Sequence, residues 1–339
     1  GARRDSGDED YVMTSVAHAN YETFGPPEAQ YTILEPLGRG ATATVYRCVR
    51  GEDQYAVKVI DIRRIRMRPH FQQMLHIMNR ETSLLFKLRH DKIVRLHDVV
   101  ETTAMRFLVM DLLEGGDLFN YILSKGPLAE REARCIFWQI VEGLKYIHSE
   151  DVVHRDLKPE NILMCAGDVA KLADFGWCAE FTVDATQRTT FCGTWDYLSP
   201  EMVQNEPHDY TVDVWAMGVL LYEMLTARPP FAGSSQMESL DRIANVRLEM
   251  PDTISPLARD LIGRLLVREG RRRLGLPEAI EHAWVRRHAP GATEPAARAR
   301  SNQGAGGLES PAGPARPGDP IAGSTGAPAR RDRGADARA

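Results

Sequence analysis

No stretch of this 339-residue chain is long and apolar enough to read as a membrane span. The longest apolar run, Val214 to Leu225, is short and carries Glu223, so it reads as a buried helix. No signal-peptide pattern opens the chain. It begins with Gly1 rather than Met, so the true N-terminus is read as missing. Cysteine is sparse: Cys48, Cys135, Cys165, Cys178 and Cys192 are odd in number, widely spread and without metal-ligand spacing. That pattern argues against a disulfide or zinc scaffold and for a reducing compartment. Charge of one sign is also lacking. A net charge of −5 argues against nucleic-acid binding as the main task. What is present is a hydrophobic content of 43%, that of a globular protein, and room for a two-lobed domain with tails.

The chain is organised around residues 154 to 176, where HRDLKPEN is followed by DFG. Asp156 can accept a hydrogen bond from a substrate hydroxyl. Asn161 and Asp174 offer oxygens suited to Mg²⁺, a hard cation that takes one or two such side chains plus phosphate oxygens and waters. Lys158 can neutralise charge developing on a transferred phosphoryl group. The in-order match to a catalytic-loop string and a metal-loop string resembles the eukaryotic protein kinase family. The resemblance implies an α+β, bilobal fold: a small β-rich lobe with one regulatory helix (29–110), a connector (111–113) and a larger helical lobe (114–288).

Residues 1–28 read as a flexible leader whose Tyr11, Tyr21 and Phe24 could dock on the domain or a partner. Tyr31 to Leu37 then runs into GRGATATVY, a strand–glycine turn–strand pattern suited to covering phosphates. Gly38 and Gly40 let a backbone approach phosphate, while Ala43 stands at the family's third glycine. Lys58 ends the next strand. In the family this lysine holds the α- and β-phosphates and pairs with a helical glutamate. Glu81 is the one Glu between Asp61 and Val100. Phe71, Met74, Leu75, Met78, Thr82 and Leu85 repeat at helical spacing around it. The separation of 23 residues from Lys58 predicts an extra turn or loop near Arg63 to His70. Arg63, Arg64, Arg66 and Arg68 read as a solvated face.

Lys92 to Val100 and Met105 to Met110 read as strands, and Asp111 to Leu113 as the connector whose backbone meets adenine. Val45, Ala56 and Leu163 would sandwich the base, with Leu37 at the edge and Met110 behind. Helices follow Gly116 and Pro127. The family resemblance also implies that Asp213 braces the catalytic loop and that Arg273 pairs with Glu201. Residues 289–339, without an aromatic and rich in Ala, Gly, Pro and Arg, read as a disordered tail.

The implied activity is transfer of the γ-phosphate of ATP, with Mg²⁺, to a protein serine or threonine. Lys158 and Thr194, which in that branch bridges to Asp156, carry the Ser/Thr preference. Asp117, Glu160 and Glu223 match positions that receive arginines before the phosphorylated residue, so basic-directed protein substrates are expected. Arg188 precedes Thr189 and Thr190. A phosphate on Thr190 could be gripped by Arg80, Arg155 and Arg188. DFGW with Trp177, RTTFCGTWDYLSPEM and VDVWAMGVLLYEML resemble the Aurora kinases. That resemblance implies an activator protein docked on the small lobe and work in cell division, in cytoplasm and nucleus, at centrosomes, spindle or chromosomes. EGGDLF after the connector looks more like calcium/calmodulin-dependent and checkpoint-type kinases. A pseudokinase scaffold is the reading from another class. Retention of Lys58, Glu81, Asp156, Asn161 and Asp174 together weighs against it.

Overall fold

Alternation builds the first half of the molecule. Along Asp53–Asp61, Tyr55, Val57 and Val59 fall on one face and Ala56, Lys58 and Ile60 on the other, as the two-residue period of a strand requires. The first set joins a cluster with Phe24, Tyr31, Cys48, Val100, Phe107 and Val109, while Ile60 joins the larger core. A computed structural model describes residues 14–15, 22–39, 43–165, 169–175, 179–180 and 195–286. All of them belong to one unit, Gly1–Glu294; the second unit, Pro295–Ala339, and with it the expected tail, lies outside the described residues.

The small lobe holds β1 (Thr14–Ser15), β2 (Thr23–Phe24), β3 (Tyr31–Arg39), β4 (Ala43–Arg50), β5 (Asp53–Asp61), α1 (Ile62–Arg66), α2 (Phe71–Lys87), β6 (Leu96–Glu101) and β7 (Met105–Met110). Its seven strands run in the order β1-β6-β7-β5-β4-β3-β2, antiparallel except where β1 joins β6. Asp61 ends β5 and starts α1, its carboxylate accepting from the backbone N–H groups of Arg63 and Arg64. The extra turn expected between Lys58 and Glu81 is this five-residue helix. Arg63 and Arg64 are exposed and also paired to Asp61.

The large lobe is built from α3 (Leu118–Lys125), α4 (Glu130–Ser149), β8 (Val152–Val153), β9 (Ile162–Cys165), β10 (Val169–Leu172), β11 (Ala179–Glu180), α5 (Pro200–Val203), α6 (Thr211–Thr226), α7 (Gln236–Ala244), α8 (Pro256–Leu265), α9 (Leu276–Glu281) and α10 (Ala283–Arg286). Asp117 caps α3 and Ser255 caps α8, each accepting from a backbone N–H three residues on. The run Val214–Leu225 lies in α6, which is apolar nearly all round and buried nearly all round, in the centre of the lobe. Among the described residues no helix is long and apolar enough to cross a membrane.

Two expectations need correcting. The flexible leader does not run to residue 28: Phe24, one of the aromatics read as able to dock on the domain, does so, fully buried and stacked between Tyr31 at 5.0 Å and Phe107 at 4.4 Å. The small lobe thus takes both edge strands of its sheet, β1 and β2, and a core residue from the segment assigned to the leader. The strand expected from Lys92 begins only at Leu96. Residues 92 to 94 instead pair with the large lobe, Val94 N–H donating to Leu172 O at 2.9 Å and Leu172 N–H to Lys92 O at 2.8 Å. An extended run satisfies its backbone groups wherever a partner lies, and here the partner is β10.

Candidate active site

The sequence HRD occupies a loop between β8 and β9 whose backbone is fixed by one buried acid. Asp213, in the first turn of α6, accepts from His154 N–H and Arg155 N–H, both at 2.8 Å, and from His148 Nε2 at 2.8 Å. Burial alone would raise its carboxyl. The hydrogen bonds from His148 and the loop amides outweigh that and hold it below the usual range. Arg155 sits at φ 66° and Asp174 at φ 56°, left-handed conformations that cost a side-chain-bearing residue about 1–3 kcal/mol each. Asp213 is what holds the first of them. His154, wholly buried, joins the loop to the strand behind it: Nε2 lies 3.2 Å from Ala173 O and the ring 5.1 Å from Phe175.

Around this frame the polar side chains converge. Lys158 Nζ donates to both oxygens of Asp156, at 3.0 and 2.9 Å. Asn161 Nδ2 donates to Asp156 O at 2.7 Å and Oδ2 at 2.8 Å. With Nδ2 committed, Oδ1 is the end of the amide left to meet a cation. Ala173 N–H donates to Asn161 O at 2.9 Å, which sets Asp174 beside Asn161 in the fold. Lys58 Nζ, on β5, lies 3.6 Å from Asp174 Oδ1. These hard oxygen donors and the ammonium suit a magnesium ion carried with phosphates. At Gly38 a Cβ would meet nothing within 4 Å among the described residues. Neither packing against the described residues nor backbone conformation demands glycine there. Gly40, Thr190, Arg188, Thr194, Trp177 and the side chain of Glu81 lie outside the described residues. The backbone of Glu81 is in α2, as its spacing predicts.

The residues expected around adenine lie on the strands that flank the connector. Ala56 is buried and pairs across the sheet with Met110, Val45 pairs with Lys58, and Leu163 on β9 faces Lys171 in register and bridges to Asp117. Leu37 is exposed at the end of β3. Gly115 N–H donates to Met164 O at 3.0 Å, so close that a Cβ would sit 2.7 Å from that oxygen. Gly115 is therefore a packing requirement where the connector crosses β9, while Gly116 has open space around it and answers to its left-handed φ of 70°.

At the other end of the site, Tyr197 OH donates to Glu223 Oε2 at 2.6 Å. Burial, then the nearby Glu160 and Asp196, push the Glu223 carboxyl above its ordinary range. Asp117 has both oxygens engaged by Asn120, as a helix cap. Arg273 makes the expected pair with Glu201, two parallel bonds of 2.6 and 2.7 Å. Sequence reasoning missed Tyr197, His148 and Arg106. Arg106 is almost fully buried on β7 and donates to Asn79 of α2 at 2.7 Å and to Glu101. Its signal was a lone charge in an otherwise apolar strand.

Residues 31–285 match the protein kinase domain family. Over 266 residues the chain is 36% identical to an Aurora kinase of Dictyostelium discoideum, covering 78% of this chain and 68% of that protein. It is also 36% identical to Aurora kinase A-A of Xenopus laevis over 257 residues, 75% of this chain and 62% of that one. The same identity relates it to the calcium/calmodulin-dependent protein kinase type II subunit delta of Oryctolagus cuniculus over 265 residues, 76% of this chain and 49% of that one. The matched stretch thus spans about half to two thirds of these relatives. With the loop string, the paired lobes and the relatives in agreement, the chain belongs to the protein kinase family, on its serine/threonine side.

Proposed function

We propose that the protein transfers the γ-phosphate of ATP to serine or threonine in basic protein segments, as an Aurora-type kinase of cell division. The observation that carries the transfer is the convergence of Asp156, Lys158 and Asn161, with the Lys58–Asp174 pair, at the mouth between the lobes. Lys58, with Glu81, orients the phosphates. Asp156 accepts the hydrogen bond of the substrate hydroxyl and aims its oxygen. Lys158, already on Asp156, stands where charge develops during transfer. Magnesium, when bound by Asn161 and Asp174, supplies neutralisation of phosphate charge. The connector carbonyl and amide of Asp111 and Leu113 meet the adenine edge, with Val45, Ala56 and Leu163 on its faces. The direct test is transfer of labelled phosphate from Mg-ATP to an arginine-containing serine peptide. Absence of label, with the nucleotide still bound, would favour a scaffold. The calcium/calmodulin-dependent relative and the EGGDLF connector support a second reading within the same chemistry.

The acid cluster of Glu160, Asp196 and Glu223 supports the basic preference, because burial and then the two neighbouring carboxylates raise the Glu223 carboxyl, a charge that an arriving cation would favour. The pH sign follows. A carboxyl with a raised pKa takes its proton at higher pH than an ordinary glutamate, so acidification removes its attraction for arginine early. KM for a peptide with arginine two residues before the serine therefore rises on acidification, and begins to do so at a higher pH than an ordinary glutamate would set. A leucine-substituted peptide shows no such rise, and Glu223→Gln abolishes the dependence. For folding the same shift works the other way: the protonated form is favoured in the folded protein, so this contribution is present at low pH and lost as pH rises through the folded pKa.

Activation by a phosphate on Thr190 belongs to the same proposal. Arg80 carries a buried Nη2 with no hydrogen-bond partner among the described residues, on the turn of α2 that also bears Glu81. A phosphate reaching Arg80 and Arg155 would tie the helix to the catalytic loop. Thr190→Ala lowers activity of purified, autophosphorylated protein by about tenfold or more, in the range of activation by charge-assisted ordering. Unchanged activity would remove this step.

A further inference from the structure

The connector is held from behind by a side chain that faces away from the nucleotide side. Asp111 does not share the face of Ala56. Its carboxylate lies in a cleft of about 380 Å³ with Tyr55, which alternation puts on the reverse of the sheet. Oδ2 accepts from Lys171 Nζ at 2.6 Å and from Arg95 N–H at 3.2 Å, and Oδ1 lies 2.8 Å from His97 Nε2. The Asp111 N–H donates to Arg95 O at 3.1 Å. Every one of these bonds fixes the residue, and none of them uses its carbonyl.

The partners come from both lobes. His97 is on β6, in the small lobe. Lys171 is on β10, three residues before Asp174. One carboxylate therefore ties the connector to the sheet and to the strand that delivers Asp174. Behind His97 runs a ladder of rings: Tyr55 at 5.1 Å, Tyr31 at 5.8 Å from Tyr55, and Phe24 at 5.0 Å from Tyr31. The His97 side of the tie is thus packed as far as β2. Partial burial alone would raise the Asp111 carboxyl, yet Lys171, His97 and the Arg95 amide hold it below the usual range.

We propose that Asp111 is a positioning residue for the nucleotide: its carboxylate, clamped between His97 and Lys171, holds the connector backbone in the geometry that reads adenine. The inference rests on the reading of this cleft as an ATP site. Charge-assisted bonds of this kind fix a backbone before the ligand arrives, and preorganisation is returned as affinity. Because the contact is with the base, the effect falls on adenine recognition and spares the transfer step.

The experiment uses the full chain and measures Mg-ATP and Mg-GTP dissociation constants by calorimetry, then steady-state kinetics with a serine peptide. In Asp111→Asn the ATP dissociation constant and KM rise about fivefold, kcat changes by less than about twofold, and GTP affinity hardly moves, as loss of preorganisation at the base predicts. Lys171→Met shifts ATP in the same direction. The double variant is no worse than Asp111→Asn, because both changes break one tie. ATP affinity within twofold of wild type in both single variants would overturn the inference. So would equal losses for ATP and GTP accompanied by a fall in thermal stability, the mark of a merely structural role. Binding is read without turnover. A wild type that binds ATP but transfers nothing therefore fails the transfer reading alone, and the affinity shift still decides this one. A wild type that binds neither nucleotide overturns both.

Discussion

Asp156→Asn lowers kcat by about 10³-fold, within the range for loss of a positioned acid–base group, while Mg-ATP affinity stays within about threefold. The substitution keeps the volume of the side chain and changes one oxygen to an amine. In the folded protein both oxygens of Asp156 already accept hydrogen bonds, from Lys158 Nζ and Asn161 Nδ2. A carboxylate has lone pairs for these and for a substrate hydroxyl. The amide does not: its nitrogen must face Lys158 or Asn161, donor against donor, and its single oxygen is then taken by the other. The hydroxyl loses its acceptor, and Lys158 loses the charge that holds it. Neither loss touches Lys58 or the connector, which is why ATP binding survives. Thermal unfolding of the variant should match wild type within a few degrees, since the loop is held by Asp213 and not by Asp156. A kcat within tenfold of wild type would show that Asp156 does not orient the hydroxyl.

The residues of that site were legible because their order along the chain is the order in which the loop presents them. Within HRDLKPEN the side-chain contacts are local: Asp156, Lys158 and Asn161 meet through contacts two to five residues apart, although the loop backbone is held by the distant Asp213. Lys58 and Asp174 were legible for a different reason, the family's strings around them: Lys58 lies within β5, which runs on to Asp61 rather than ending at the lysine, and Asp174 lies just past β10 at a left-handed φ. Docking of Phe24 on the domain was open from the sequence, but the extent of the leader was misread because Phe24 lies in a polar stretch. Its burial depends on Tyr31 and Phe107, which a local pattern cannot bring together. The start of β6 was misread for the same reason, since Lys92 to Val94 looks extended whichever lobe it pairs with. The Asp111 carboxylate was invisible because the family resemblance assigns its backbone a task and says nothing of the side chain. His97 and Lys171, sixty residues and more from each other, reach it only in the folded chain.

Arg273→Ala removes about 3–5 kcal/mol of stability, the cost of leaving a buried charge without its partner. All five donors of this guanidinium are used: two on Glu201, one each on Thr211 O, Val267 O and Arg268 O. The side chain has no exposed surface, and that of Glu201 is 12% exposed. Alanine therefore strands a carboxylate and three carbonyls at once. Lysine recovers little, because a point ammonium cannot serve two carboxylate oxygens and three carbonyls spread in a plane. Urea unfolding followed by tryptophan fluorescence reads the loss directly, since the guanidinium lies 5.1 Å over the Trp215 ring. The double variant Glu201→Gln with Arg273→Met is less destabilised than Arg273→Ala alone, because no unpaired charge remains. If the double variant were worse, the ion pair would be a net source of stability here. If it is better, the pair is kept for what it connects: α5, which carries Glu201 just after the activation segment, and the first turn of α6, which carries Asp213. The acid that braces the catalytic loop then stands on a helix start whose position depends on Arg273. Activity of the double variant should fall even where its stability is recovered.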